Sequence, residues 1–324
     1  MLPSFDYVRP GSIRDAISQL ASRGARIHAG GTDLLSCLRD RVFDVEKVVS
    51  ISKLNQLKGI GQLGDGSMRI GALTTIAEVA GNRVVQKRYA GLAQAASQVA
   101  SPQLRNQATI GGNICQRPWC WYFRGDFQCL RKGGDMCYAE NGENQYHCIF
   151  GSDGLCYIVH PSDMAPALVA LGAKVRFAGP GGARTLPMEE FYVRPAVDVQ
   201  KETVLEPDEM VTEVIVPPPA EGLRSSYRKV RVRQSFDFAL AGVALAIQIS
   251  GGKVTGGRVV LSGAAPVPWR STEVEDVITG EKLDSGIIAQ AADAVVKGAE
   301  PLKNNGYKIP LFRGIIEEQL RAIA

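Results

Sequence analysis

Apolar residues recur at helical spacing near the start of the chain, where SIRDAISQL sets Ile13, Ile17 and Leu20 on one face. Ser12, followed three residues later by Asp15, supplies the cap that starts this helix. The next segment, ARIHAGGTDLLSCL, reads as a short buried strand that breaks at Gly30-Gly31 and re-enters a helix or turn. EKVVSIS and SMRIGAL have strand character. TTIAEVA, with Thr75 and Glu78 as its cap, and YAGLAQAASQVA are helical by spacing and alanine content. Farther on, HPSDMAPALVALGAKVRFAG predicts a helix feeding a strand, and GPGGARTLP a turn. EMVTEVIVPPP predicts a strand stopped at Pro217 to Pro219, which marks a domain boundary.

Beyond the prolines the pattern changes. ALAGVALAIQISGGKVTGGRVVLSG predicts two or three antiparallel strands with glycine turns. SGIIAQAADAVVKGAE and PLFRGIIEEQLRAIA predict amphipathic helices. Strands followed by helices imply an α+β unit with its helices on one face of a sheet. No internal repeat or low-complexity segment interrupts this order.

A chain of 324 residues is long enough for two or three domains. With 45% hydrophobic and 22% charged residues it has the composition of a soluble globular protein. A net charge of +4 gives no reason by itself to expect a nucleic-acid partner. No apolar run approaches the length of a membrane span. MLPSFDYVRPGS lacks the basic and hydrophobic segments of an export signal, so the expected location is the cytoplasm, where disulfides rarely persist.

Two glycine turns share one property. AGGTD (Ala29 to Asp33) and TIGGN (Thr109 to Asn113) both let successive backbone N–H groups converge on an anion without steric obstruction. Thr32, Thr109 and Asn113 add neutral donors suited to a pyrophosphate. Neither stretch is a Rossmann or Walker motif. Taken singly, each also reads as an ordinary tight turn.

Six of the seven cysteines fall between Cys115 and Cys156, spaced C-x4-C-x8-C-x7-C-x10-C-x7-C. The C-x2-C pairs that zinc sites favour are absent, and His28, His147 and His160 offer no H-x3-H partner. An iron–sulfur cube tolerates cysteines from longer, irregular loops, and glycines at 125, 133, 134, 142, 151 and 154 permit such a loop. On spacing alone, zinc and iron–sulfur both stay open.

AGGTDLL, ATIGGNICQ, HPSDMAPAL and YRKVRVRQSFDFALAGVALAI, in this order and at these separations, resemble the FAD-binding subunit of the xanthine dehydrogenase family of molybdenum hydroxylases. The resemblance covers essentially the whole chain. It implies an α+β, PCMH-type (vanillyl-alcohol-oxidase-like) FAD-binding fold of two subdomains, residues 1–55 and 56–219. A CO-dehydrogenase-flavoprotein-like C-terminal domain, residues 220–324, would follow. It puts Arg26, Ile27, His28, Ala29, Gly30, Gly31, Thr32, Asp33 and Leu34 around the FAD diphosphate and ribityl chain. Ala108, Thr109, Gly111, Gly112 and Asn113 join them, and Cys115, abutting the second turn, packs there as a small residue. Ser162 and Asp163 fall where the family meets the adenosine portion, and Lys229 where it meets the flavin ring. Asp237 reads instead as a turn or cap residue.

A minority of the family, bacterial aldehyde oxidoreductases and 4-hydroxybenzoyl-CoA reductase among them, insert a [4Fe–4S] loop after the second turn. Residues 115–156 resemble the aldehyde-oxidoreductase version, which implies Cys120, Cys129, Cys137 and Cys156 as ligands. Cys115 and Cys148 are then spare, Cys148 being the first substitute, and Cys37 is buried and inert. Arg117, Arg124, Arg131 and Lys132 would offset the cluster's negative charge, and Trp119, Trp121, Tyr122 and Phe123 would exclude water.

The resemblance therefore implies an electron-transfer flavoprotein subunit with FAD and a [4Fe–4S] cluster. Its partners would be a molybdopterin-containing large subunit, a [2Fe–2S] small subunit and an external electron acceptor, with substrate oxidised on the large subunit. Co-export with a partner would make it periplasmic instead of cytoplasmic. Two competing readings are a self-contained FAD-dependent oxidase and a zinc-stabilised nucleic-acid-binding protein that uses YRKVRVRQ on phosphates.

Overall fold

The Ser12-capped helix Ile13–Leu20 packs on a parallel three-stranded sheet in the computed structural model, which describes all residues 1–324. Its strands, β1 (Asp6–Val8), β2 (Ala25–His28) and β3 (Lys47–Ser50), lie in the order β1-β3-β2. A five-stranded antiparallel sheet follows, built from β4 (Ile60–Gln62), β5 (Met68–Gly71), β6 (Lys174–Gly179), β7 (Gly182–Pro187) and β8 (Met210–Val216), in the order β4-β5-β8-β6-β7. The last sheet, β12-β11-β10-β9, is antiparallel and holds β9 (Leu223–Val230), β10 (Ala241–Ser250), β11 (Lys253–Ser262) and β12 (Trp269–Arg270).

Two details depart from the sequence reading. GPGGARTLP is a turn only at its start. Residues 182–187 form the edge strand β7, whose mostly exposed side chains leave no apolar alternation to read. The last sheet also carries helices on both faces. Val243, Leu245, Ile247, Val259 and Leu261 pack toward the C-terminal helices. Ala244, Ala246 and Val260 pack toward the helices Ala90–Gln98 and Met164–Ala170 of the preceding region. Burial on both sides is why β10 reads as a continuous apolar run and not as alternation. Packing thus crosses the Pro217–Pro219 landmark. A Cβ on Gly91 would sit 2.9 Å from the Ser226 backbone nitrogen, and Gln94 Oε1 accepts from Tyr227 N–H at 2.8 Å.

The C-terminal helix Lys308–Ile323 buries Lys308, Phe312, Ile316 and Leu320, four positions that share one helix face at i, i+4 spacing. Each apolar member contributes roughly 1.5–3 kcal/mol by burial. Lys308 cannot do so, and donates from Nζ to Gly263 O at 2.7 Å and Tyr146 O at 3.3 Å. Tyr146 belongs to the cysteine-rich loop. Asn305 Nδ2 holds the carbonyls of His147 and Cys148 at 3.1 and 3.0 Å, and Ile149 and Phe150 enter the C-terminal core. The end of that loop is therefore clamped by the last domain.

Candidate functional site

β2 ends at His28 and the chain turns through Ala29–Asp33 into the helix Leu34–Arg39. Gly31 has φ +74°, and a Cβ on Gly30 would lie 1.9 Å from Gln107 O, in the segment that leads into the second turn. The two turns are pressed together, and only glycine permits it. The N–H groups of Gly30, Gly31, Thr32 and Asp33 find no acceptor within the protein. Unpaired consecutive donors of this kind attract an anion.

The second turn is different. Thr109 caps a short helix, Ile110–Ile114, and the N–H groups of Ile110 and Gly111 donate to Thr74 O and Ala72 O. Gly112 N–H donates to Thr109 Oγ1 at 3.2 Å. The expected symmetry between the turns fails because packing against the β5 end takes up the second turn's donors. The first turn offers backbone donors; the second offers Thr109 and Asn113.

An open groove passes on both sides of the paired turns. One section, of about 340 Å³, is lined by Arg26, Ile27, Ala29 to Leu34, Thr109, Gly111, Gly112 and Cys115. The other, of about 550 Å³, is lined by Gly31 to Asp33, Ala108, Gly112, Asn113, Asp163 and Lys229. The sections meet at Gly31, Thr32, Asp33 and Gly112. A diphosphate at the free N–H groups with a ring system in each section fits this shape. His28 and Ser162 line neither section. His28 packs under Gly31, and Ser162 donates to Asn113 Oδ1 at 2.6 Å, fixing that amide from behind.

Asp163 and Lys229, which the resemblance set against the adenosine portion and the flavin ring, stand side by side. They form a buried ion pair, Lys229 Nζ to Asp163 Oδ2 at 2.7 Å, while Tyr227 OH donates to Asp163 Oδ1 at 2.7 Å. Tyr227 and Lys229 are two residues apart on β9, so strand periodicity aims both at one carboxylate. One end of a ligand meets both residues or neither. The neighbouring cations of YRKVRVRQ are engaged as well: Arg228 with Glu318, Arg233 with Asp237, and Arg231 with Gln98 O.

Cys120, Cys129, Cys137 and Cys156 line one small cavity, together with Phe123, Leu130, Tyr138 and Ile158. No cysteine is in a disulfide, and no three His, Cys, Asp or Glu converge closely enough to hold a single ion. A tetrahedral zinc site needs thiolates about 3.8 Å apart, given Zn–S of about 2.3 Å; a cube holds its ligands wider. A thiol hydrogen bond from Cys137, then the nearby Arg131 guanidinium, favour the Cys156 thiolate. Burial raises Cys120 to about 11, and its Sγ lies 3.3 Å from His147 Nε2. Cys148 is buried outside this cavity, Cys115 lines the groove, and burial lifts both Cys115 and Cys37 to about 12.

The loop's cations are largely matched already by carboxylates, although Arg131 also lies beside Cys156. Arg117 and Arg131 share Glu202 at 3.0 and 2.7 Å, and Arg124 pairs with Asp33 at 2.7 Å. Lys132 alone lacks a carboxylate and donates to Gly125 O. Of the four aromatic residues, Phe123 is buried, whereas Trp119 stays 40% exposed at the groove. Asp33 thereby has a role the sequence did not suggest. Its second oxygen accepts Arg117 N–H at 2.9 Å, so the first glycine turn carries the cysteine loop. Asp33→Ala leaves the nearly buried Arg124 unpaired and should cost roughly 2–3 kcal/mol. Limited proteolysis should then cut the 115–156 loop sooner, with weaker retention of a groove ligand in the same sample.

Sequence reasoning also missed the 202–211 segment that walls one section of the groove and Phe236, Asp237 and Phe238 that wall the other. Both are polar or mixed stretches with no periodic signal.

Residues 3–219 match the family described as FAD binding domain in molybdopterin dehydrogenase, and residues 225–315 match the CO dehydrogenase flavoprotein C-terminal domain. The aldehyde oxidoreductase FAD-binding subunit PaoB of Escherichia coli K12 is 37% identical, covering 96% of each chain. The carbon monoxide dehydrogenase medium chain of Hydrogenophaga pseudoflava is 29% identical, over 99% of this chain and 97% of its own. A solved carbon monoxide dehydrogenase from Hydrogenophaga pseudoflava superposes with a TM-score of 0.79 at 27% identity, covering 100% of this chain and 98% of that one.

Proposed function

The chain belongs to the FAD-binding subunits of the molybdenum hydroxylase family that includes xanthine and CO dehydrogenases, and from that premise we propose that it is an electron-transfer subunit carrying both FAD and a [4Fe–4S] cluster. It takes electrons released on a molybdopterin-containing partner, by way of a [2Fe–2S] subunit, and delivers them to an external acceptor. The observation that supports the second cofactor is that Cys120, Cys129, Cys137 and Cys156, drawn from distant parts of the loop, line one cavity. The loop's likeness to aldehyde-oxidoreductase sequences supports the same assignment.

Bound FAD supplies a junction between one-electron and two-electron chemistry, and a cluster supplies single-electron transfer. The chain's residues supply placement. The N–H groups of Gly30 to Asp33, free of any protein acceptor, would hold the diphosphate, and Thr109 and Asn113 would add side-chain contacts. Lys229, held by Asp163, presents a fixed dipole at one ring system. Asp33 and Glu202, through Arg117, Arg124 and Arg131, keep the cysteine loop in register with the groove.

Substitution separates the two sites. In protein purified without oxygen, Cys129→Ser and Cys137→Ser should each lower iron to below roughly a fifth of the unsubstituted level, since a cube needs its four thiolates. FAD content should hold in both. Cys148→Ser should leave iron unchanged. Iron that survives at Cys129→Ser and disappears at Cys148→Ser would reassign the ligand set.

A further inference from the structure

The outer face of the cysteine loop carries charge of one sign. Every exposed charged residue between 115 and 156 is a carboxylate: Asp126, Asp135, Glu140 and Glu143. The chain as a whole stands at +4, so this face runs against its net charge. The loop's ion pairs are made by other residues, Arg117, Arg124, Arg131 and Asp153, and leave these carboxylates free. The loop's remaining cation, Lys132, is half-buried and donates to Gly125 O at 2.8 Å.

The carboxylates surround apolar surface. Phe127, Met136 and Tyr146 are 39%, 45% and 45% exposed, and they belong to one patch. A Cβ on Gly134 would lie 1.8 Å from Gln128 O, and Leu130 N–H donates to Met136 O at 3.0 Å. Residues 126–128 and 134–136 therefore run side by side. The Phe127 ring packs against Tyr122 and Tyr138, each at 5.1 Å, and Trp121 joins Tyr122 to Tyr146 at 6.1 and 5.6 Å. Glu143 N–H donates to the Tyr122 hydroxyl at 2.7 Å and Glu140 N–H to Cys137 O at 3.2 Å, which sets both carboxylates beside the same rings. Tyr122 and Tyr138 also line the four-cysteine cavity, so the patch covers that cavity from outside. An apolar centre inside a charged rim is the anatomy of a protein-docking surface.

We propose that this face docks a basic, one-electron redox protein, the external acceptor of the subunit. A rim of negative charge attracts a basic surface and repels nucleic acid and acidic carriers. A second copy of this chain matches it poorly, because the cations of its basic stretch, Arg228, Arg231 and Arg233, are already engaged. The inference rests on the cofactors proposed above for the partner's purpose but not for the docking itself. Each docked partner gains one electron. A reduced flavin therefore serves two partners in turn, returns to its oxidised form and releases its protons to water.

The test titrates oxidised cytochrome c, a small basic haem protein, into the full chain with FAD bound and follows the heat of binding. Binding should saturate and should weaken between about 10 mM and about 150 mM salt. The fourfold variant Asp126→Asn, Asp135→Asn, Glu140→Gln, Glu143→Gln should bind at least about tenfold more weakly at the lower salt. A control variant, Glu190→Gln, Glu221→Gln, Asp276→Asn, Glu281→Gln, raises the net charge equally and should stay within about twofold of wild type. All eight positions are exposed, so neither variant disturbs a core. Met136→Gln, at the apolar centre, should cost about fivefold at either salt. Equal losses in the two fourfold variants, or no saturable binding, overturn the proposal. Dimers of the chain that form without cytochrome c and vanish in the loop variant assign the face to a second copy and overturn it as well. A chain that holds iron and FAD yet fails these tests refutes this inference alone; one that docks the probe at the loop but never takes up iron refutes the cluster reading.

Discussion

Gly30→Val is expected to abolish retention of FAD while leaving much of the fold in place. A Cβ at Gly30 falls 1.9 Å from Gln107 O and 2.7 Å from its carbonyl carbon, both backbone atoms that cannot rotate aside. The turns must separate, which moves the four free N–H groups off their common focus. Overpacking of this kind costs roughly 1–3 kcal/mol in stability. The effect on the ligand is larger, because every diphosphate contact depends on that focus; affinity should fall at least about a hundredfold, roughly 3 kcal/mol. Gly181→Ala is the control. It has nothing within 4 Å and no unusual φ, so it should stay within about 0.5 kcal/mol of wild type. Equilibrium dialysis of FAD with each purified variant reads both outcomes.

Lys229→Met should be the most destabilising single substitution at the site. The side chains of Lys229 and Asp163 are 1% and 5% exposed, so removing the cation leaves a buried carboxylate supported only by Tyr227. Breaking a buried pair from one side costs about 3–5 kcal/mol. Adding Asp163→Asn to Lys229→Met removes the stranded charge and should restore about half of that loss. Denaturant unfolding of the ligand-free chain measures both, keeping the effect apart from FAD binding. If the two substitutions are simply additive, the pair does not act as a unit.

What could be read from the sequence was what glycine and periodicity control. Gly30 and Gly31 announce a turn that tolerates no side chain, and the turn is there. Ser12, Thr75 and Asp15 announced helix starts that the backbone confirms. The pairings were not legible, because they join distant residues. Asp33 reaches Arg124 across 91 positions, and Lys229 reaches Asp163 across 66. A residue-by-residue likeness treated Asp163 and Lys229 separately; the β9 register shows that Tyr227 and Lys229 both meet Asp163. The wall formed by 202–211 was invisible for another reason. Up to Glu209 it lies outside any helix or strand, and its mixed polar and apolar residues show no period.

The cysteine loop lies between these cases. Its composition raised the expectation of redox or metal chemistry, and its glycines announced irregular backbone. Its anchoring to both the first glycine turn and the C-terminal helix follows from tertiary contacts alone. Those contacts explain why a long irregular loop can hold four thiols in register: it is fastened at Asp33, at Glu202 and at Lys308.

The most direct measurement is a count of iron, acid-labile sulfide and flavin per chain in protein purified under strict exclusion of oxygen. About four irons, four sulfides and one FAD are predicted. Flavin without iron would confine the chain to FAD alone, and a colourless chain that takes up neither group on reconstitution would contradict the account entirely.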